Sequence, residues 1–164
     1  MDEQYAWLYQ DMEERTEAVE KLLDQPHALS GEIHRRKMKI EVLRRAVSRL
    51  EVHLQKDKVR YTPDPSGKQE LLAEAIDEEQ EVLRLEKEYD QAVLTAAEWI
   101  AGIFDPVAQS IMEMRYMDRM SWDEIALRTR YSRAQVFRIR RKALKELAAP
   151  GKIIPGCFTV QKTI

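Results

Sequence analysis

Arginine dominates one short stretch of this chain. Between Arg115 and Lys145 stand ten basic side chains, Arg115, Arg119, Arg128, Arg130, Arg133, Arg138, Arg140, Arg141, Lys142 and Lys145, against the acids Asp118, Asp123 and Glu124, a balance of +7. The whole chain carries −2, which leaves −9 for everything else. A guanidinium is a planar fork that bonds bidentately to guanine or to phosphate, whereas a lysine is a point charge. Gln135 stands among these residues and can bond adenine in the same bidentate way, while Ala134 and Phe137 can touch a thymine methyl. The chemistry on offer is recognition of double-stranded DNA, through phosphates and base edges. The acidic remainder would stay off it.

Such side chains need a scaffold that points them one way. From Asp105 to Leu147 the chain reads as three short helices with two tight connections. Asp105-Pro106 opens the first, with an acceptor at the N-cap and proline at the first helical position. Ser121 opens the second and Ser132 the third, each followed three residues on by Glu124 or Gln135 to complete a capping box. Apolar residues recur at helical spacing: Val107, Ile111 and Met114; then Trp122, Ile125 and Ala126; then Val136, Ile139, Ala143 and Leu147. Two capped helices with a tight turn between them, the second rich in arginine, have the form of a helix-turn-helix. Its outward positions would be Arg133, Ala134, Gln135, Phe137, Arg138, Arg141 and Lys142. Arg128 and Arg130 would hold phosphates beside them.

These residues carry a resemblance. RYMDRMSWDEIALRTRYSRAQVFRIRRKALKEL looks like the region 4 helix-turn-helix of bacterial sigma factors. It is more similar still to the phage and prophage late-gene transcription regulators of the ArpU/RinA type, whose pattern is matched by MRY, SWDEIA, YSRAQV and RIRRKAL. The likeness spans roughly Gln55 to Leu147, taking in the loop and long acidic helix upstream. It implies a DNA-binding transcription regulator in the cytoplasm of a bacterial host, with Ser132, Arg133, Gln135, Phe137 and Arg138 at the promoter-reading positions. The chain departs from the pattern at its turns. Arg130 stands where the family has glycine and Thr129 where it has an apolar neighbour, and the first loop, Asp118-Arg119-Met120, lacks its glycine too.

Upstream, residues 1–104 read as a helical arm. A first helix from Asp2 to Leu23, with Tyr5, Leu8, Met12, Val19 and Leu22 on one side, should end at Gln25-Pro26. A second, capped by Ser30 and running to Lys58, places Ile33, Ile40, Leu43, Val47, Leu50 and Leu54 on a seven-residue repeat. That helix is basic. After a turn-rich connector at 61–67, the helix from Lys68 to Phe104 is acidic in its first half. Complementary flanks predict an antiparallel hairpin, and a seam that one hairpin leaves uncovered predicts a homodimer through the arm. The tail, 148–164, reads as extended or weakly ordered.

The fold class is therefore all-α: a long-helix hairpin or coiled-coil arm, then a C-terminal helix-turn-helix. No catalytic constellation stands out. His27, His34 and His53 lack partners at metal-ligand spacing, and there is no glycine-rich phosphate loop. The single cysteine, Cys157, cannot form an internal disulfide, and the start MDEQYAWLYQDMEER is too acidic for a signal peptide. The expectation is a non-enzyme without cofactor or metal, off the membrane, that binds double-stranded DNA and contacts RNA polymerase. Two other functions fit the same features. One is a phage DNA-packaging protein like a terminase small subunit; the other is a coiled-coil adaptor that docks on RNA polymerase.

Overall fold

The computed structural model describes residues 6–56 and 65–150, with side chains over 11–52 and 67–150. These form five helices and no strand: α1 (Ala6–Lys56), α2 (Pro65–Ala101), α3 (Pro106–Tyr116), α4 (Trp122–Thr129) and α5 (Arg133–Leu147). The fold is all-α with a long-helix hairpin. Tyr5, Leu8 and Leu54, most of the connector, the tail beyond Pro150 and Cys157 lie outside the described residues or side chains.

The break expected at Gln25-Pro26 is absent, because α1 runs through Pro26. A proline inside a helix costs about 3 kcal/mol, since it lacks the N–H that would bond four residues back. Burial offsets that cost here. Pro26 is buried on the same face as Leu22 and Leu23, and each fully buried side chain of this size contributes roughly 1.5–3 kcal/mol. One connector proline differs from expectation in the same direction. Pro65 opens α2 instead of preceding it, as first-turn geometry allows. At its other end α2 stops at Ala101 rather than Phe104, with the Gly102 N–H bonding back to Glu98 and Trp99 carbonyls.

Contacts divide the chain into two compact units, one of residues 28–90 and one that joins the segments up to His27 and from Gln91 onward. In the 28–90 unit, α1 and α2 run antiparallel. Lys37 pairs with Glu86 at 2.6 Å, Lys39 with Glu78 at 2.7 Å and Glu74 at 2.8 Å, and Lys68 with Glu51 at 2.6 Å. The residue numbers fall on one strand of pairs as they rise on the other, which fixes direction and register. Ile40, Leu43 and Val47 are buried within the single chain, as are Ala75, Val82 and Leu85. The seam expected to need a second copy is thus covered at these three positions, and only Leu50, 40 % exposed, stays open. That removes the argument for a dimer through this seam.

Glu78 is the hub of the hairpin, accepting from Lys39 and from Arg36. Those hydrogen bonds hold its carboxyl below the ordinary value of 4.5. A depressed carboxylate stabilises the fold above its unfolded pKa, and that contribution is lost as pH falls through the folded one. Acid titration by circular dichroism should therefore show the hairpin weakening below about pH 4.5, and Glu78→Gln should flatten that dependence.

In the other unit, two cores meet on α3. Ile111, Ile125 and Val136, one from each short helix, form the smaller, with Met114, Trp122, Ala126 and Ile139 packed around it. The larger gathers Val19, Leu22 and Leu23 of α1 and Ala96 and Ile100 of α2 with Ala108, Met112, Tyr116, Leu144 and Leu147. The segments 11–27 and 91–101 therefore belong with the three short helices and not with the arm, which moves the expected boundary at residue 104. Facing two cores turns α3 so that Ala108, Met112 and Tyr116 are buried, while Val107, expected inside, is 42 % exposed.

Candidate nucleic-acid interface

The turn between α4 and α5 is built by its caps. The Ser132 N–H donates to Gln135 Oε1 at 2.8 Å while Ser132 Oγ accepts from the Gln135 N–H at 3.3 Å. Ser121 and Glu124 make the same box at the start of α4, and the Ser121 hydroxyl, with its backbone N–H second, holds the Glu124 carboxylate below its usual pKa. Asp105 accepts from the Val107 N–H at 3.0 Å, as its N-cap position predicts. Thr129 fits its unusual place by donating from Oγ1 to the Ile125 carbonyl at 2.7 Å.

Both turn positions that lack glycine hold an arginine in the left-handed conformation, with φ 57° at Arg119 and φ 58°, ψ 21° at Arg130. A Cβ costs about 1 kcal/mol there. Arg130 is exposed and makes no ion pair among the described residues, so no folded-state contact repays that strain. Arg130→Gly should accordingly raise stability by roughly 0.5–1 kcal/mol in urea unfolding. A less stable variant would rule this account out.

On α5 the core side is set by Val136, Ala143 and Leu147, all within 1 % of full burial. Directly opposite, at spacings of four, three and four residues, stand Ala134, Arg138, Arg141 and Lys145, all exposed. Lys142 flanks this ridge. On α4 and its turn, Arg128 and Arg130 are exposed too. None of these six cations has an ion pair among the described residues. Sequence reasoning left Lys145 out, although the helical period that gave Arg138 and Arg141 extends to it.

Other expected base readers are committed to the scaffold. Gln135 Oε1 is taken by the Ser132 N–H, which removes half of a bidentate contact to adenine. The Ser132 hydroxyl is the cap itself. Phe137 is half-buried against Trp122, with ring centroids 5.1 Å apart. Arg133 bonds Asp123 at 3.1 Å and lies 5.7 Å over the Phe137 ring. Their types suggested recognition; in the structure Ser132 and Gln135 cap the start of α5, and Phe137 and Arg133 contact α4.

The back of α5 is held just as firmly. Arg140 pairs with Glu20 and stacks 5.3 Å over Trp122. Its Nε is buried without an acceptor. Burial raises the phenol of Tyr116 above its ordinary pKa, and the nearby Arg140 guanidinium opposes that rise. Arg15 is only 3 % exposed. Its Nε donates to the Ala148 carbonyl at 2.8 Å and its Nη2 to the Ala149 carbonyl at 3.0 Å. A cation there satisfies the orphan carbonyls at the end of α5 and opposes the helix dipole. Neither Glu20 nor Arg15 could be found from local sequence, since each acts across more than a hundred residues.

Among the described residues, no group of His, Cys, Asp and Glu is arranged to hold a metal ion, and no helix is long and apolar enough to cross a membrane. No curated protein and no solved structure matches the chain. Residues 53–148, which take in all of α2 and all three short helices, match the family described as Protein of unknown function (DUF1492), and the chain belongs to that family.

Proposed function

We propose that this chain is a sequence-specific DNA-binding transcription regulator of the ArpU/RinA type, sigma-like, which binds promoter DNA and activates phage or prophage late genes through RNA polymerase. The observation that supports it best is the ridge on α5. A rigid helix, capped at both ends, offers Ala134, Arg138 and Arg141 in line, with no partner of their own to satisfy the guanidinium forks. Such a helix fits the major groove, where arginine reads guanine and an alanine methyl meets thymine. Arg128, Arg130, Lys142 and Lys145 then sit on phosphates, which orient the helix without reading sequence. The supporting contacts of Gln135 and Phe137 narrow the reading set to Ala134, Arg138 and Arg141.

Selection of duplexes from a random library tests this reading. An enriched site should contain guanine, and Arg138→Ala should lose roughly 1–3 kcal/mol on that site but little on random duplex. Arg128→Ala should lose equally on both. Absence of any enriched sequence would remove the claim of sequence-specific recognition.

A further inference from the structure

A second cationic feature lies where α1 meets the end of α3, and the ridge has no part in it. Here Leu23, Asp24 and His27 of α1 and Arg115, Tyr116 and Arg119 line a cleft of about 70 Å³. That is more than twice the share of one water in the liquid, about 30 Å³, which suits a small tetrahedral group. Leu23 and Tyr116 form a buried floor. The Arg115 guanidinium is already fixed in place. Arg115 Nη1 donates to the Met120 carbonyl at 3.1 Å and its fork lies 4.9 Å over Trp122. Arg119 reaches the Pro26 carbonyl in a long contact of 3.5 Å. Each keeps further N–H donors, and His27 can add one more.

Arg119 occupies its place at a cost, since φ is 57° where glycine would be free of strain. Strain of this kind persists where the surrounding structure over-determines it, and it clusters at ligand clamps. Asp24 narrows the ligand chemistry. It is exposed at the rim and has no ion pair among the described residues. A carboxylate there repels a fully ionised anion, yet it accepts a hydrogen bond from an oxyanion that keeps a proton. Inorganic phosphate keeps one near neutrality, whereas a phosphate monoester, with a second pKa of about 6, has largely lost it. Sulfate and the phosphodiester of a nucleic-acid backbone keep none.

We propose that the cleft formed by Asp24, His27, Arg115 and Arg119 is a binding site for a protonated phosphate group, with the arginine forks on its oxygens and Asp24 on its hydroxyl. The group is inorganic phosphate. The test is titration of the full chain with inorganic phosphate, and separately with sulfate, at constant ionic strength, followed by the backbone amide shifts of Arg115, Tyr116 and Arg119. Phosphate should give saturable shifts at lower concentration than sulfate. Arg119→Gly should weaken phosphate about tenfold, the loss of a hydrogen bond to a charged group. Because glycine suits that φ, the fold should hold, which an unchanged or higher unfolding midpoint verifies. Asp24→Asn should abolish the preference for phosphate over sulfate. A wild-type chain with no saturable phosphate response overturns the site. Equal binding of sulfate and phosphate overturns the role of Asp24 and leaves a plain anion patch, for which a DNA backbone phosphate is the ligand. The titration contains no DNA, so its outcome is independent of the reading of the α5 ridge. A nucleoside 5′-monophosphate, run in parallel near neutrality, should bind less tightly, and binding equal to that of inorganic phosphate overturns the role given to the retained proton.

Discussion

A chain that begins at Ala28 should fail to form the helix-turn-helix, even though every residue of α3, α4 and α5 is present. The removed segment carries Val19, Leu22 and Leu23, which are 0 %, 7 % and 1 % exposed in the larger core. At roughly 1.5–3 kcal/mol each, their loss takes about 5–9 kcal/mol from the core, a sum comparable with the whole stability of a typical domain. The same cut removes Arg15 from the end of α5 and Glu20 from Arg140. The truncated chain should show no cooperative unfolding of the short helices, while helicity from the 28–90 hairpin remains. In the full chain, Leu23→Ala should cost about 2–5 kcal/mol, whereas Phe104→Ala, at a side chain 92 % exposed, should cost almost nothing. Cooperative unfolding of the truncated chain at the full-length midpoint would show that α1 is dispensable. The stretch that matches the family, residues 53–148, contains none of these α1 residues, so the integrity of the module depends on a segment outside it.

What was legible in the sequence was local. Asp105, Ser121 and Ser132 announce their helices because a cap is a contact between residues two or three apart, and all three are found as expected. The hairpin was legible because basic and acidic flanks of long helices leave few registers that pair them. Arg130 was legible as a residue in a glycine's place. The break at Pro26 was wrong because propensity is a weak term beside a buried face: Leu22, Leu23 and Pro26 together outweigh one lost hydrogen bond. The candidate interface was half legible. Periodicity gave Arg138 and Arg141, which have no partners among the described residues, but side-chain type says nothing about prior engagement. Gln135 is held by its own cap, Phe137 by Trp122 and Arg133 by Asp123. Arg140 looked like its neighbours, yet its partner is Glu20, a hundred and twenty positions away.

This distinction between engaged and unengaged cations sets the expected salt dependence of DNA binding. Were all ten basic residues from Arg115 to Lys145 to neutralise phosphates, log affinity would fall against log salt with a slope near −9. The structure removes four from that total. Arg140 is paired with Glu20 and Arg133 with Asp123, while Arg115 and Arg119 line the cleft beside α1 rather than the α5 ridge. Six remain, and two of them, Arg138 and Arg141, are assigned to bases. Four phosphate contacts give a slope near −3.6, so affinity for random duplex should fall roughly 150-fold between about 50 and 200 mM salt. Fluorescence anisotropy across that range measures it directly. Arg130→Gly and Arg128→Ala should each flatten the slope by about one unit, while Arg140→Ala should leave it unchanged and lower stability instead. A slope near zero would end the DNA-binding proposal. A slope near −9 would keep DNA binding but show that the ion pairs on the back of α5 open when the duplex arrives.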